Sequence, residues 1–227
     1  MQHSIWLAMF GFALSMSISP GPVNMLIIAT AAQQGFARTW ALVSGATLGF
    51  TALLALVGMG LNGLLQQYPL VLHVLGILGA VFMLWVGWCL WRAPTAPLQV
   101  DSADANAVEA NMTDTDAADT APALPAAPGF WHGVLLQCLN PKAWIACAAG
   151  TAMFASAPVA HALTTFVAIY FVVCYASLAL WAWAGQQLAA YLQLPRRMRV
   201  FNVMMAAMMW LTAAVMLWQQ LAGLSGL

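Results

Sequence analysis

Two short runs hold the residues that can do chemistry in an otherwise apolar chain: Ser19-Pro20-Gly21-Pro22 and Asn140-Pro141-Lys142. Proline has no backbone N–H and clashes with the preceding turn, so two prolines around a glycine disfavour a continuous helix and the chain is expected to unwind there. In the second run Asn140 can serve as N-cap and Pro141 as first helical residue, the order that restarts a helix. A restarted helix offers a positive dipole end and first-turn N–H groups without partners, which together attract anions such as a carboxylate.

Lys142 brings a cation to such an end. The helix dipole opposes it there, and at membrane depth an ammonium costs at least ~2.5 kcal/mol to insert. Counting from Phe130, Lys142 lies ~18 Å along its helix, near mid-depth. The acidic residues Asp101, Asp104, Glu109, Asp114, Asp116 and Asp119 all lie in one segment, so no carboxylate side chain is at hand elsewhere. An anionic ligand, a wet cavity, loss of the charge, or reach of the long stem to the cytoplasmic interface would each answer the cost.

Around these runs stand weaker candidates. Asn24, one turn beyond the first break, can bind a ligand or satisfy the broken backbone, and both readings stay open. Trp144, beside the second break, is a candidate for lining a site. Gly45 and Gly49 have the GxxxG spacing of close helix packing. His73, His132 and His161 fall near helix ends, where solvated surface roles are expected. Cys89, Cys138, Cys147 and Cys174 show no CxxC spacing and read as small buried hydrophobes, so neither a metal site nor a cofactor is expected.

The elements that must carry these residues are membrane helices. Hydrophobic residues make up 63% of the chain and charged residues 5%, with mean hydropathy +0.85; a water-facing surface needs far more charge. Six apolar runs follow one another, at 5–32, 40–61, 70–91, 130–157, 161–191 and 200–221. Each is long enough to cross ~30 Å of hydrocarbon, and none shows the alternation of barrel strands. The first begins without a basic n-region and is too long for a signal-peptide core, so it is expected to be retained. Residues 94–128 are rich in Ala, Asp, Thr and Pro and are expected to form an acidic disordered cytoplasmic linker.

The fold expected is therefore all-α and integral to the membrane: six transmembrane helices, the first and fourth broken. Three helices in 1–93 and three in 129–227 imply two inverted repeats, since an odd number of spans reverses the second half. Arg38, Arg92, Arg196, Arg197 and Arg199 fall in loops on one face. The positive-inside rule puts that face and the linker in the cytoplasm and both termini outside, with the last three arginines as interfacial anchors.

These features together resemble the lysine exporter / homoserine-threonine resistance (LysE/RhtB) family. The resemblance is carried by Ser19-Pro20-Gly21-Pro22, by Gln34-Gly35-Phe36 leading to Gly45 and Gly49, and by Gly133 followed by Asn140-Pro141-Lys142. It implies a six-helix exporter of amino acids or related metabolites in a bacterial inner membrane, driven by the proton gradient. Many members carry an acid just after Pro-Gly-Pro or after the second glycine of helix 2; this chain has Val23, Asn24 and Phe50 in those regions. A neutral or hydrophobic amino acid, or a related small zwitterion, is thus expected as substrate, bound by Pro20, Gly21, Pro22, Asn24, Asn140, Pro141, Lys142 and Trp144. The other expected partners are protons and the lipid bilayer, with homo-oligomerisation left open and nucleic acid excluded. The competing readings are a membrane-embedded enzyme or thiol-electron carrier, which needs paired reactive groups, and a scaffold without transport.

Overall fold

The computed structural model describes residues 2–61, 63, 67, 69–95, 127–154, 157 and 161–224; the linker expected at 94–128 therefore lies almost wholly outside the described residues. Among the described residues there are eight α-helices and no strand. In chain order they are α1 (Gln2–Ile18), α2 (Pro22–Gln34), α3 (Trp40–Gly58), α4 (Pro69–Trp91), α5 (Phe130–Cys138), α6 (Pro141–Phe154), α7 (Ala162–Tyr191) and α8 (Pro195–Leu224). A 3-10 turn, Phe36–Thr39, leads into α3.

Proline and glycine explain most of the boundaries. Pro22 opens α2, where its missing N–H is no loss. Gly35 closes it at φ 85°, a conformation open to glycine, and its N–H bonds Ala31 O at 2.9 Å. Pro141 opens α6 in the same way. Pro195 opens α8, five residues before the apolar run at 200–221, because Arg196, Arg197 and Arg199 can extend a helix into the interface without being apolar.

Among the described residues three helices are long and apolar enough to cross a membrane: Phe36–Gly58, Ala162–Tyr191 and Pro195–Leu221. Helices α1 and α2 make a fourth crossing if they are counted as one span bent by 59°. The third expected run contributes a shorter apolar stretch, Gly76–Trp91, and the fourth is divided into α5 and α6. The outer surface is apolar, with Trp218 74% and Leu211 67% exposed, which suits lipid rather than water. The chain is a multi-pass membrane protein.

Helices α1, α2, α3, α5, α6 and α7 form the body that holds the functional candidates. Helix α3 packs on α5 and α6, α7 packs on α1 and α2, and α3 and α7 also meet. Its core includes Met9, Ile27, Leu54, Phe166 and Tyr170. Glycine permits the closest crossing: a Cβ on Gly45 would strike the Phe130 carbonyl, one on Gly49 would lie 2.9 Å from Val134 Cα, and one on Gly133 would strike the Leu42 carbonyl. Helices α4 and α8 pair with each other along the side of this body.

Polar contacts gather where α4 ends and α8 begins. Arg199 Nη1 donates to Trp91 O at 2.7 Å, and Asn202 Nδ2 donates to Ala93 O at 3.2 Å. Gln33 of α2 donates to Asn202 Oδ1 at 2.8 Å, which ties the α4–α8 pair to the body. Arg92 and Arg197 lie over Trp88 and Tyr191 at 4.4 and 4.2 Å, a stabilising cation–π arrangement.

Candidate functional site

Both expected breaks are present and they meet. Helix α1 stops at Ile18 and α2 starts at Pro22; α5 stops at Cys138 and α6 starts at Pro141. A helix that stops leaves its last carbonyls without partners, and in an apolar interior these must be satisfied from elsewhere in the protein. At the first break Ser19 Oγ donates to Met16 O at 3.1 Å, and Asn24 Nδ2 donates to Ser17 O at 3.0 Å and Ser19 O at 3.2 Å. At the second, Trp144 Nε1 donates to Cys138 O at 2.7 Å. Asn140 Oδ1 accepts the N–H of Lys142 at 3.1 Å, as an N-cap does.

Lys142 joins the two breaks. Its Nζ donates to Ser19 O at 2.6 Å and reaches Pro20 O at 3.4 Å. Those carbonyls stand at the C-terminal end of α1, which carries about −0.5 elementary charge from the aligned peptide dipoles. Besides a ligand, water, loss of charge or the interface, this ammonium thus has the end of another helix as its compensation, which only the fold brings within reach. Gly21 keeps the approach open, since a Cβ there would lie 3.3 Å from both Cδ and Nζ of Lys142. Its φ of −162° is ordinary extended backbone, so space is what the position requires.

Beside this junction is a cavity of about 30 Å³, lined by residues of both breaks and of α3 and α7. That is room for roughly two or three waters. Of the residues expected to bind substrate, Gly21, Asn24, Asn140 and Lys142 line it. Trp144 does not, because its indole is turned to the Cys138 carbonyl. Pro20 and Pro22 shape the break without lining the cavity, and Pro141 likewise only starts α6. Gly45 and Gly49 are spent on the crossing with α5.

Further lining residues escaped the sequence reading. Ser17 and Gln137 are buried polar residues in the turns just before the two breaks, and that placement in apolar helices was a readable signal. Phe50 and Tyr170, with rings stacked at 4.4 Å, and Cys174 form the far wall, with Met16 and Leu178 adding apolar surface. Phe50 follows Gly49, where the resemblance puts an acid in many members, whereas nothing local marks Tyr170, Cys174, Met16 or Leu178. Ser17 Oγ stands beside the Tyr170 hydroxyl and the Cys174 thiol but makes no well-formed hydrogen bond.

Val23 and Asn24 occupy the first turn of α2, ahead of the first intrahelical bond from Met25 N to Gly21 O at 2.9 Å. Their N–H groups therefore have no carbonyl within their own helix. The junction thus sets first-turn donors and an ammonium next to the carbonyl end of α1.

Cys89, Cys138, Cys147 and Cys174 are free thiols. No cluster of three or more His, Cys, Asp or Glu that could hold a metal occurs among the described residues. His132 Nδ1 accepts the N–H of Gly129 at 3.2 Å at the start of α5, and His161 stands at the start of α7 with φ 52°. Both histidines are at helix ends.

No curated protein and no solved structure matches the chain. The model of the LysE type translocator family matches residues 14–220, nearly the whole length of helices built around the two breaks, and the chain belongs to that family.

Proposed function

We propose that this translocator exports a neutral or hydrophobic amino acid, or a related small zwitterionic metabolite, from a bacterial cytoplasm across the inner membrane, by alternating access around the cavity between the two breaks. The observation that carries the reading is the bond from Lys142 Nζ to Ser19 O, which places an ammonium, helix-start donors and helix-end carbonyls from two broken helices at one point. All six acids lie at 101–119 in the sequence and none is among the residues that line the cavity, which disfavours a cationic side chain on the substrate. The Met16, Phe50, Tyr170 and Leu178 surfaces suit an apolar one. With room for only a few waters, the cavity corresponds to a closed form that must open to admit substrate. The proton gradient is the proposed driving force, with protons moving through water, a histidine, Lys142 or the substrate amine.

Six spans in two inverted halves, 1–93 and 129–227 joined by the acidic linker at 94–128, are part of the same proposal. The packing supports it. Exchanging α1–α2, α3, α4 for α5–α6, α7, α8 leaves the main pairings in place: each middle helix on the other half's broken helix, α3 on α7, and α4 on α8. The role of Lys142 is tested by Lys142→Ala and Lys142→Gln in cells overexpressing the protein, with amino acids assayed inside and outside. Export is expected to be lost, at least tenfold, while the protein stays in the membrane. Undiminished export would remove Lys142 from the mechanism.

A further inference from the structure

We infer that the carbonyl end of α1, Ser19 O and Pro20 O together with the Ser17 hydroxyl, is a subsite for the primary ammonium of the substrate, and that Lys142 occupies it as a tethered stand-in when no substrate is bound. The inference rests on the exporter reading and adds to it where the amine goes.

Three independent observations lead there. First, an amino acid brings an ammonium into a body whose described residues contain no Asp or Glu. Helix C-terminal ends are then the source of negative potential at this cavity; the end of α5 gives its Cys138 carbonyl to Trp144, whereas the end of α1 presents its carbonyls to Lys142. Second, a primary ammonium already sits there: Lys142 Nζ lies 2.6 Å from Ser19 O and 3.4 Å from Pro20 O. The place therefore has the size and the acceptors that an R–NH₃⁺ group needs. Third, Ser17 is 8% exposed and lines the same cavity, where its hydroxyl stands beside the Tyr170 hydroxyl and the Cys174 thiol without a well-formed hydrogen bond to either. A buried hydroxyl left without one is costly unless a guest uses it.

The exchange conserves charge and hydrogen bonds. One ammonium leaves the carbonyls and another takes its place, so the helix end is never left bare. The displaced Lys142 stays beside the first turn of α2, where the substrate carboxylate would meet the N–H groups of Val23 and Asn24. Retreat of the lysine chain also enlarges a cavity that is otherwise too small for an amino acid. The stand-in thereby keeps the empty carrier closed and yields only to a ligand that carries its own ammonium. No covalent step is involved.

Two measurements on protein in lipid nanodiscs test this. Wild-type protein is titrated calorimetrically with L-leucine, its methyl ester and N-acetyl-L-leucine; the last keeps the carboxylate but has no ammonium. N-acetylation is expected to weaken binding at least tenfold. Equal binding of leucine and N-acetyl-leucine would overturn the subsite while leaving an amino-acid carrier intact. In the second, Lys142→Ala empties the subsite, and thermal unfolding is followed with rising methylammonium chloride against sodium chloride. A saturable rise in the midpoint, in the variant and not in wild type, is expected; its absence overturns the inference. Lys142→Ser, which keeps a small polar group at the start of α6, serves if the alanine variant does not accumulate. Should leucine fail to bind while methylammonium stabilises the variant, the subsite stands and the choice of substrate falls.

Discussion

Met16, Ser17 and Ser19 offer backbone oxygens that α1 cannot satisfy within itself, and three side chains are spent on them: Ser19, Asn24 and Lys142. Asn24 takes two with one amide and is 5% exposed. Asn24→Leu keeps the volume roughly constant and removes both bonds. It is expected to cost about 1–2 kcal/mol, since a polar contact within a membrane protein contributes ~0.6–1.7 kcal/mol. Thermal unfolding in detergent measures this against Thr212→Val, whose lost bond to Met208 O is local and exposed and should cost less than ~0.5 kcal/mol. Equal midpoints for the two variants would show that the α1 carbonyls do not need Asn24. At this scale the sequence was readable where a residue forces a local consequence. Prolines 20, 22 and 141 must interrupt hydrogen bonding, and Lys142 is the sole lysine of the chain, in an apolar run. It was unreadable where the partner is distant. The Ser19 carbonyl is 123 positions from Lys142, and Phe50 meets Tyr170 only through the crossing of α3 and α7.

The crossing of α3 with α5 sets how closely the two broken helices approach α3 and α7, and it is a contact of backbone on backbone. Gly45 and Gly133 face each other across it, and a Cβ on either would meet main-chain atoms that no rotamer change can move. Overpacking ordinarily costs about 1–3 kcal/mol. Gly45→Val and Gly133→Val are expected to reach or exceed that range, because a helix must shift as a body. Gly11, with no heavy atom within 4 Å of its would-be Cβ, provides the comparison on a helix of similar composition. Size-exclusion profiles of the detergent extracts should show Gly11→Val monodisperse, and both crossing variants aggregated or strongly reduced. A monodisperse Gly45→Val of unchanged midpoint would contradict the close crossing. The GxxxG spacing announced some such contact but could not name its partner, because spacing describes one helix face only. Helix ends were legible to within a few residues where Gly or Pro marks them, as at Gly35 and Pro141. They were less so at Pro195, where a hydropathy reading stops at the arginines although the helix does not.

For the molecule as a whole the open question is direction, which charge answers and packing does not. Arg38, Arg92, Arg196, Arg197 and Arg199 lie at 36–39, after α4 and at the start of α8, and the contacts from Arg199 to Trp91 and from Gln33 to Asn202 gather these segments at one end. The end of α3 at Gly58 is at the opposite end, and residues 59–68 carry no Lys or Arg. Basic residues in short loops resist translocation while acidic ones count little, so the six acids at 101–119 do not offset the arginines and the linker should stay with them in the cytoplasm. In a background with Cys89, Cys138, Cys147 and Cys174 replaced by alanine, Gln67→Cys is expected to react with a membrane-impermeant maleimide in intact spheroplasts, and Asp114→Cys only in inverted vesicles. Export by alternating access requires that the cavity open first toward the arginine-rich end, so labelling of position 114 from outside would reverse the chain and turn the proposed exporter into an importer of the same zwitterion. Moving the arginines provides the stronger form of the test. If charge alone sets direction, replacing Arg196, Arg197 and Arg199 with glutamine while adding three arginines between α3 and α4 should shift a measurable fraction of position 114 to the outside, and a fraction that stays at zero would mean that the helices insert by some rule other than the one their charges suggest.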